Sequence, residues 1–310
     1  MRDVDREYSH LSSEDRFLVW LSEHVKSHVI QKAGGPLYHY TTAGALISII
    51  ENRELWLSQS DFLNDPQEMT YGINVLHEAI HAYPISDEIE RKILTEILRV
   101  IDDQRAKRKF VLSLSTDQDS LMLWSHYAKT DGYAIGFKQD ALVNRLYSEE
   151  DKVNCFMAYY GKVLYSTEDQ MGDVHSFIAP VFDYLRNFHD ENRKYLSNIL
   201  IDEISFALSF KLLLYKSPVF HPEREFRFVL TQGNDSCHWP NVGLRAVRGT
   251  IVPYAKVSLG NRGDMLNCIQ SIQVGPAYHN DENTELGVKE LLYYNKLQRI
   301  KVEKSGFRIR

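Results

Sequence analysis

Two groups of residues in this sequence have the types and spacing to do chemistry. The first is His77-Glu78-Ala79-Ile80-His81. Two histidines one helical turn apart can share a zinc ion, and a glutamate beside the first can act as general base, which is the chemistry of a zinc-dependent hydrolase. The surroundings argue otherwise. On a helical wheel centred on Ile73, Leu76 and Ile80, His77 falls beside the apolar stripe, His81 further out, and Glu78 toward solvent. No third ligand follows, because Ala82-Tyr83-Pro84 stands where an extended motif would place a glycine turn and another histidine. The residues that this reading would use are His77, Glu78 and His81, and a resident metal is not expected.

The second group is Phe220-His221-Pro222-Glu223-Arg224-Glu225-Phe226-Arg227-Phe228. Strand alternation puts Glu223, Glu225 and Arg227 on one face and Arg224, Phe226 and Phe228 on the other. Three ionisable groups on one face are expensive to bury and so must face water, a ligand or each other. Three more segments share this character, with polar groups at the end of an apolar run: Leu37 to Thr42, Phe62 to Glu68, and Leu112 to Phe137. Each also has a plain structural reading. His39 can be a satisfied core histidine; Asn64, Asp65 and Glu68 a helix cap; Trp124 and Tyr127 core packing; and Glu223, Glu225 and Arg227 a solvated ladder on an edge strand. Their joint occurrence at strand ends is what favours a site.

The elements that must position these residues follow from periodicity. Ser12 with Asp15 opens a helix whose apolar positions Phe17, Leu18, Trp20, Leu21, Val25 and Val29 run until Gly34-Gly35-Pro36. Leu37 to Tyr40 reads as a strand, Thr42 to Asn52 as a helix and Leu55 to Leu57 as a strand. Asp65 as N-cap, Pro66 at the first position and Glu68 closing a box predict a helix to about Tyr83, and another spans Asp87 to Arg105. Val111 to Ser115 and Tyr133 to Phe137 read as strands around a helical Ser120 to Ala128, and Cys155 to Tyr160 as a further strand. Ser166 to Tyr215 reads as one long helical insertion. Strands are then expected at Glu225 to Leu230, Ala246 to Pro253, Ile269 to Val274 and Ile300 to Val302, with a helix at Glu285 to Tyr294.

Composition bounds the function classes. The chain has 310 residues, 44% hydrophobic and 25% charged, with 18 Tyr and 14 Phe, as expected of a folded domain with an aromatic-rich core. No apolar signal region opens it and no run is long enough to span a bilayer, so a cytoplasmic protein with no membrane partner is expected. Cys155, Cys237 and Cys268 lie far apart, against a disulfide framework or a thiolate zinc site. A net charge of −6 gives no global attraction to nucleic acid, although Arg105 to Lys109 is locally basic.

The segments "LYHYTT", "NDPQE", "WSHY" before a Gly-led strand and "EREFR", in this order, together with "IQSIQVGP" and "VEKSGFRIR", resemble the bacterial family catalogued as domain of unknown function 2971, over about residues 37 to 305. More distantly, "LYHYTT" followed by a helix and "ELWLS" looks like the opening of ADP-ribosyltransferase folds. That likeness implies an α+β protein on a split or curved mixed β-sheet of ADP-ribosyltransferase-like type. The expected layout is an N-terminal helix at 1–36 and a main domain at 37–310 with a helical insertion at about 166–215. It further implies NAD as the small-molecule substrate. His39 would hold its ribose, with Tyr40 and Thr41 near the nicotinamide. Ser113 and Ser115 would form the middle element, and Trp124 and Tyr127 aromatic walls. Arg227 would fix carboxylates or a pyrophosphate oxygen, and Glu225 or Glu223 would be the catalytic carboxylate. Asn64, Asp65 and Glu68 would line or support the site. The implied function is ADP-ribosyl transfer to nucleic acid or protein, as a toxin or phage-defence effector, with room for an inhibitory or activating partner protein. The rivals are a zinc-dependent hydrolase and a non-catalytic nucleotide- or protein-binding module.

Overall fold

The computed structural model describes residues 8–65, 67–104, 108–128, 132–153, 156–232, 242–247, 249–276 and 281–307. In chain order its main elements are α1 (Ser13–Val29), β1 (Leu37–Thr41), α2 (Ala43–Asn52), β2 (Glu54–Gln59), α3 (Glu68–Ala82), α4 (Glu88–Asp103), β3 (Lys109–Ser115), β4 (Tyr133–Phe137), α5 (Gln139–Val153), β5 (Phe156–Lys162), α6 (Thr167–Leu185), α7 (Asp190–Lys211), β6 (Glu225–Gln232), β7 (Val242–Val247), β8 (Thr250–Ser258), α8 (Arg262–Cys268), β9 (Ile269–Val274), α9 (Asp281–Tyr294) and β10 (Lys301–Lys304). The chain divides into a helical unit (residues 1–31, 65–107 and 163–219) and a sheet unit (32–64, 108–162 and 220–310).

The helical unit holds α1, α3, α4, α6 and α7. Ser12 caps α1 by accepting from the Asp15 amide, and Phe17, Leu21, Val25 and Val29 form its buried stripe. Asp87 caps α4 through the amides of Ile89 and Glu90. Glu90 is fully buried and is held by both Nε and Nη2 of Arg186, at 2.7 and 3.0 Å. A bidentate guanidinium is the geometry that best compensates such burial. Between Ser166 and Tyr215 the chain forms two helices, α6 and α7, with a turn after Leu185. There the Asn187 amide side chain donates to the carbonyls of Asp183 and Tyr184, satisfying groups that a helix end leaves open. His77 is half-buried and its Nε2 lies 2.9 Å from Asp102 Oδ1, while Glu78 and His81 are exposed, the disposition drawn on the wheel. Among the described residues, no group of three or more His, Cys, Asp or Glu side chains is placed to hold a metal ion. None of their helices is long and apolar enough to cross a membrane.

The sheet unit is α+β, built on one open mixed sheet. Its strands run in the order β10-β9-β4-β1-β3-β2-β8-β7, and β6 pairs with both β3 and β5. Among the described strands, only β9 and β10 pair in parallel. One edge of β3 is occupied along its whole length by β6, from Lys109 opposite Thr231 to Ser115 opposite Glu225. Two strands share its other edge: β1 meets it through Tyr38 at Ser115, and β2 through Ser58 and Gln59 at Val111 and Phe110. The sheet therefore parts between β1 and β2. Helices α2, α5, α8 and α9 cover one face, packing Leu46, Ile50, Leu142, Leu146, Met265, Val288 and Leu292 on Leu37, Leu112, Ile135, Phe226 and Phe228.

Several elements differ from expectation. Ala246 to Pro253, read as one strand, is the turn of a hairpin between β7 and β8, with Gly249 at φ 85°. Gly reaches that left-handed region without a Cβ penalty, and its neighbours' β-branched character hid the reversal. Helix α5 was not anticipated, and neither was α8, although Asn261 and Asp264 make a reciprocal capping box there. Ser120 to Ala128 is helical, but as one α turn (Leu121–Leu123) followed by a π turn (Trp124–Ala128). Helix α3 starts at Glu68, with Asp65 Oδ1 accepting from the Gln67 amide rather than capping Glu68 itself. Cys155, Cys237, Pro66 and Arg105 to Lys107 lie outside the described residues; Cys268 is a free, buried thiol.

Candidate functional site

Ser113, Ser115, Glu225 and Arg227, singled out by type, collect on the sheet face opposite the helices. Register puts Ser115 beside Glu225 and Ser113 beside Arg227 on adjacent strands, so their side chains share that face, while Leu112, Leu114, Phe226 and Phe228 point into the core. Strand β6 is flanked on both sides, by β3 and β5, so the solvated-edge reading of its charged residues does not hold. Glu223 and Glu225 are 7% exposed and Arg227 1%. Of the three options that burial cost allowed, these groups take mutual satisfaction. Arg227 Nη2 donates to Glu225 Oε2 at 2.7 Å. The Tyr127 hydroxyl donates to Glu223 Oε1 at 2.7 Å and is hydrogen-bonded in turn by the Asn64 side chain.

Glu223 does not belong to the strand as alternation implied. It ends a short 3-10 turn (Pro218–Glu223), and Arg224 then adopts φ 45° before β6 begins. A non-glycine residue in that region is strained by about 1 kcal/mol or more. The strain swings Arg224 out to solvent and leaves both glutamates inward. Ser115 and Thr116 hold the bend, because their hydroxyls donate to the carbonyls of Glu223 and Arg224 at 2.8 and 3.2 Å. Ser115 is thus a positioning group for the carboxylates, a role that its type did not disclose.

Burial and the charge of Glu223 push the Tyr127 phenol up, so it remains a neutral donor throughout the ordinary pH range. Tyr127 lies on the π turn, an irregularity that shifts a side chain off the regular helical face and recurs at functional sites.

His39 stands apart from this cluster, at the parting between β1 and β2. The residue is half-buried, and protein crowds its ring closely enough to lower its pKa to about 4, with burial the main cause. The ring donates to the Ser113 backbone carbonyl, which opposes that shift, and the charge of Arg245 adds to it. His39 is therefore neutral at pH 7, one ring nitrogen carrying the spent proton and the other a hydrogen-bond acceptor.

Tyr40 and Trp124 are engaged in packing. Their rings meet edge to face at 4.7 Å, the Tyr40 hydroxyl donates to the Asp117 carbonyl and accepts from the Ser120 amide, and Trp124 Nε1 donates to Asp119 at 2.7 Å. Thr41 is buried at the end of β1. Asp65 and Glu68 belong to the helical unit, whereas Asn64 belongs to the sheet unit and reaches Tyr127. That contact was invisible in the sequence, where Asn64 read only as part of a cap. Arg245 was missed as well. It lies within the strand-like Val242 to Val247, and nothing in its immediate neighbours marks it.

What the arrangement offers chemically is two inward carboxylates two residues apart, one clamped by a guanidinium and one by a phenol, with a neutral imidazole on β1, separated from β6 by β3. No curated protein and no solved structure matches the chain. Residues 123–228, a segment that contains Trp124, Tyr127, Glu223, Glu225 and Arg227, are similar to the family described as protein of unknown function (DUF2971).

Proposed function

We propose that the sheet unit is an NAD-dependent ADP-ribosyltransferase of the split-sheet type, acting from the polar face around Glu225. The observation that carries the reading is the pair Glu223 and Glu225, turned inward by the strained Arg224 and held by different partners, Tyr127 and Arg227. NAD supplies a nicotinamide–ribose bond whose cleavage develops positive charge on the ribose. Glu225, kept beside a buried guanidinium, accepts from a ribose hydroxyl and stabilises charge that exists only in the transition state. Glu223 orients or deprotonates the acceptor, and the Tyr127 hydroxyl holds its carboxylate in place. Neutral His39 accepts from a sugar hydroxyl through its free nitrogen. The parting of the sheet at His39 supports the same reading, since on that edge of β3 neither β1 nor β2 pairs along its whole length.

One observation favours a second reading. Glu225 and Arg227 already satisfy each other, which suits a nucleotide-binding module that breaks no bond. Titration of the purified protein with NAD, followed by measurement of free nicotinamide, separates the two. Saturable binding with release supports the transferase. Saturable binding without release, with cell lysate present as a source of acceptors, supports the module, and the absence of binding removes both.

A further inference from the structure

Away from the carboxylates, the sheet unit carries a second polar arrangement, on β2, β7 and β8. Trp56 and Tyr254 stack with centroids 4.2 Å apart and planes 23° from parallel. The guanidinium carbon of Arg245 lies 5.9 Å from the Trp56 ring centre and 5.8 Å from that of Tyr254. Gly243 makes this possible: a Cβ there would come within 2.6 Å of the Tyr254 ring. Arg245 Nη2 donates to Ser58 Oγ at 2.7 Å, while its Nε is buried with no hydrogen-bond partner. Among the described residues no carboxylate acts on it, and burial against the rings lowers its pKa. By contrast, the buried cations Arg193, Lys211 and Arg227 each pair with an acid, at distances of 2.5 to 2.7 Å. A guanidinium that has given up water for two aromatic rings, with one of its five N–H groups spent on a hydroxyl, is a cation lacking its counter-charge.

We propose that Arg245, braced by Ser58 and seated on Trp56 and Tyr254, is an oxyanion site that takes the phosphate or pyrophosphate group of a ligand. The planar fork of N–H groups matches phosphoryl oxygens, and the aromatic seat keeps the guanidinium weakly hydrated and fixed in direction. The charge of Arg245 reaches His39, so an anion bound here is felt at the parting of the sheet. This goes beyond the NAD reading: pyrophosphate binding without nicotinamide release would keep the site and remove that chemistry.

The test is calorimetric titration of the full chain with inorganic pyrophosphate and, separately, with ADP, at two salt concentrations, for wild type, Arg245→Lys and Arg245→Met. Wild type is expected to bind pyrophosphate saturably and more weakly as salt rises. Arg245→Met, which keeps an apolar stem over the rings, is expected to lose at least tenfold in affinity, and Arg245→Lys, which keeps the charge without the fork, to lose less. Tighter binding of ADP than of pyrophosphate identifies a nucleotide as the source of the phosphate; equal binding identifies the free anion. A second reading needs no variant: indole resonances of Trp56 and ring resonances of Tyr254 are expected to shift on saturation of the wild type with pyrophosphate. Absence of saturable binding of either probe, unchanged affinity in Arg245→Met, or unmoved ring resonances would overturn the proposal.

Discussion

Replacing Arg227 by Met is the sharpest probe of how the carboxylates are held. The guanidinium is 1% exposed and donates to Glu225 Oε2 at 2.7 Å, and Glu225 is itself 7% exposed. Met fills much of the vacated volume, so the cavity contribution is small and the cost comes from leaving a buried carboxylate without its cation. Breaking one partner of a buried pair typically costs about 3–5 kcal/mol, whereas removing both charges together costs far less. The double variant Arg227→Met with Glu225→Gln should therefore recover most of the loss, a coupling of roughly 2–4 kcal/mol between the two positions. Because the chain divides into two units, one global unfolding midpoint would blur the answer. Amide hydrogen exchange followed on the β3 and β6 peptides reads the sheet unit directly. Protection there should fall by roughly two orders of magnitude or more in Arg227→Met, since about 1.4 kcal/mol is tenfold. If the single variant exchanges like wild type, or if the double variant is as labile as the single, Glu225 does not depend on Arg227 and the account of the pair is wrong.

Other consequences can be checked as directly. His39, with its pKa lowered to about 4 against 6.5 in an unfolded chain, favours the fold fully above pH 6.5, and that contribution is lost as pH falls toward 4. Discounted because the residue is only half-buried, the loss is on the order of 2–3 kcal/mol, and a stability-against-pH curve for His39→Gln should lack that slope; matching slopes would refute it. Gly72→Ala should destabilise the helical unit by at least about 1–3 kcal/mol in denaturant melts, because its Cβ would meet the Leu212 carbonyl oxygen at 2.2 Å, a backbone group that cannot rotate away. An Ala variant as stable as wild type would show that α3 packs elsewhere. Burial pushes the Cys268 thiol up to about 12, so with Cys155 and Cys237 replaced by Ser it should resist a thiol reagent at pH 8 until denaturant is added. Fast labelling of the native chain would contradict that placement.

Local signals carried much of the architecture. The Ser12–Asp15 cap with its stripe of Phe17, Leu21, Val25 and Val29 appears as α1, and strand runs such as Leu37 to Tyr40 and Tyr133 to Phe137 appear as β1 and β4. Alternation correctly set Glu225 and Arg227 against Phe226 and Phe228, because period-two geometry decides which side chains share a face. One residue earlier the strand itself stops: Arg224 takes a left-handed conformation that no propensity announces, and Glu223 turns inward from a 3-10 turn instead of from the strand. The contacts that define the site were out of reach for a different reason. Tyr127 meets Glu223, and Arg245 acts on His39, across long stretches of chain, and only tertiary pairing brings such residues together. Residue type was also silent on several contacts: Ser115 anchors the Glu223 backbone, and Tyr40 and Trp124 hold each other and the Asp117–Ser120 turn.

The measurement that bears most directly on the central claim is nicotinamide release from NAD by wild-type protein and by Glu225→Gln, with cell lysate added as a source of acceptors and folding of both checked by hydrogen exchange. Gln keeps the shape and one acceptor of the side chain but not the charge, so the transferase account expects release by wild type and a fall of about a hundredfold or more in the variant. Equal release by both proteins would take Glu225 out of the chemistry, and no release by correctly folded wild type would contradict the transferase itself.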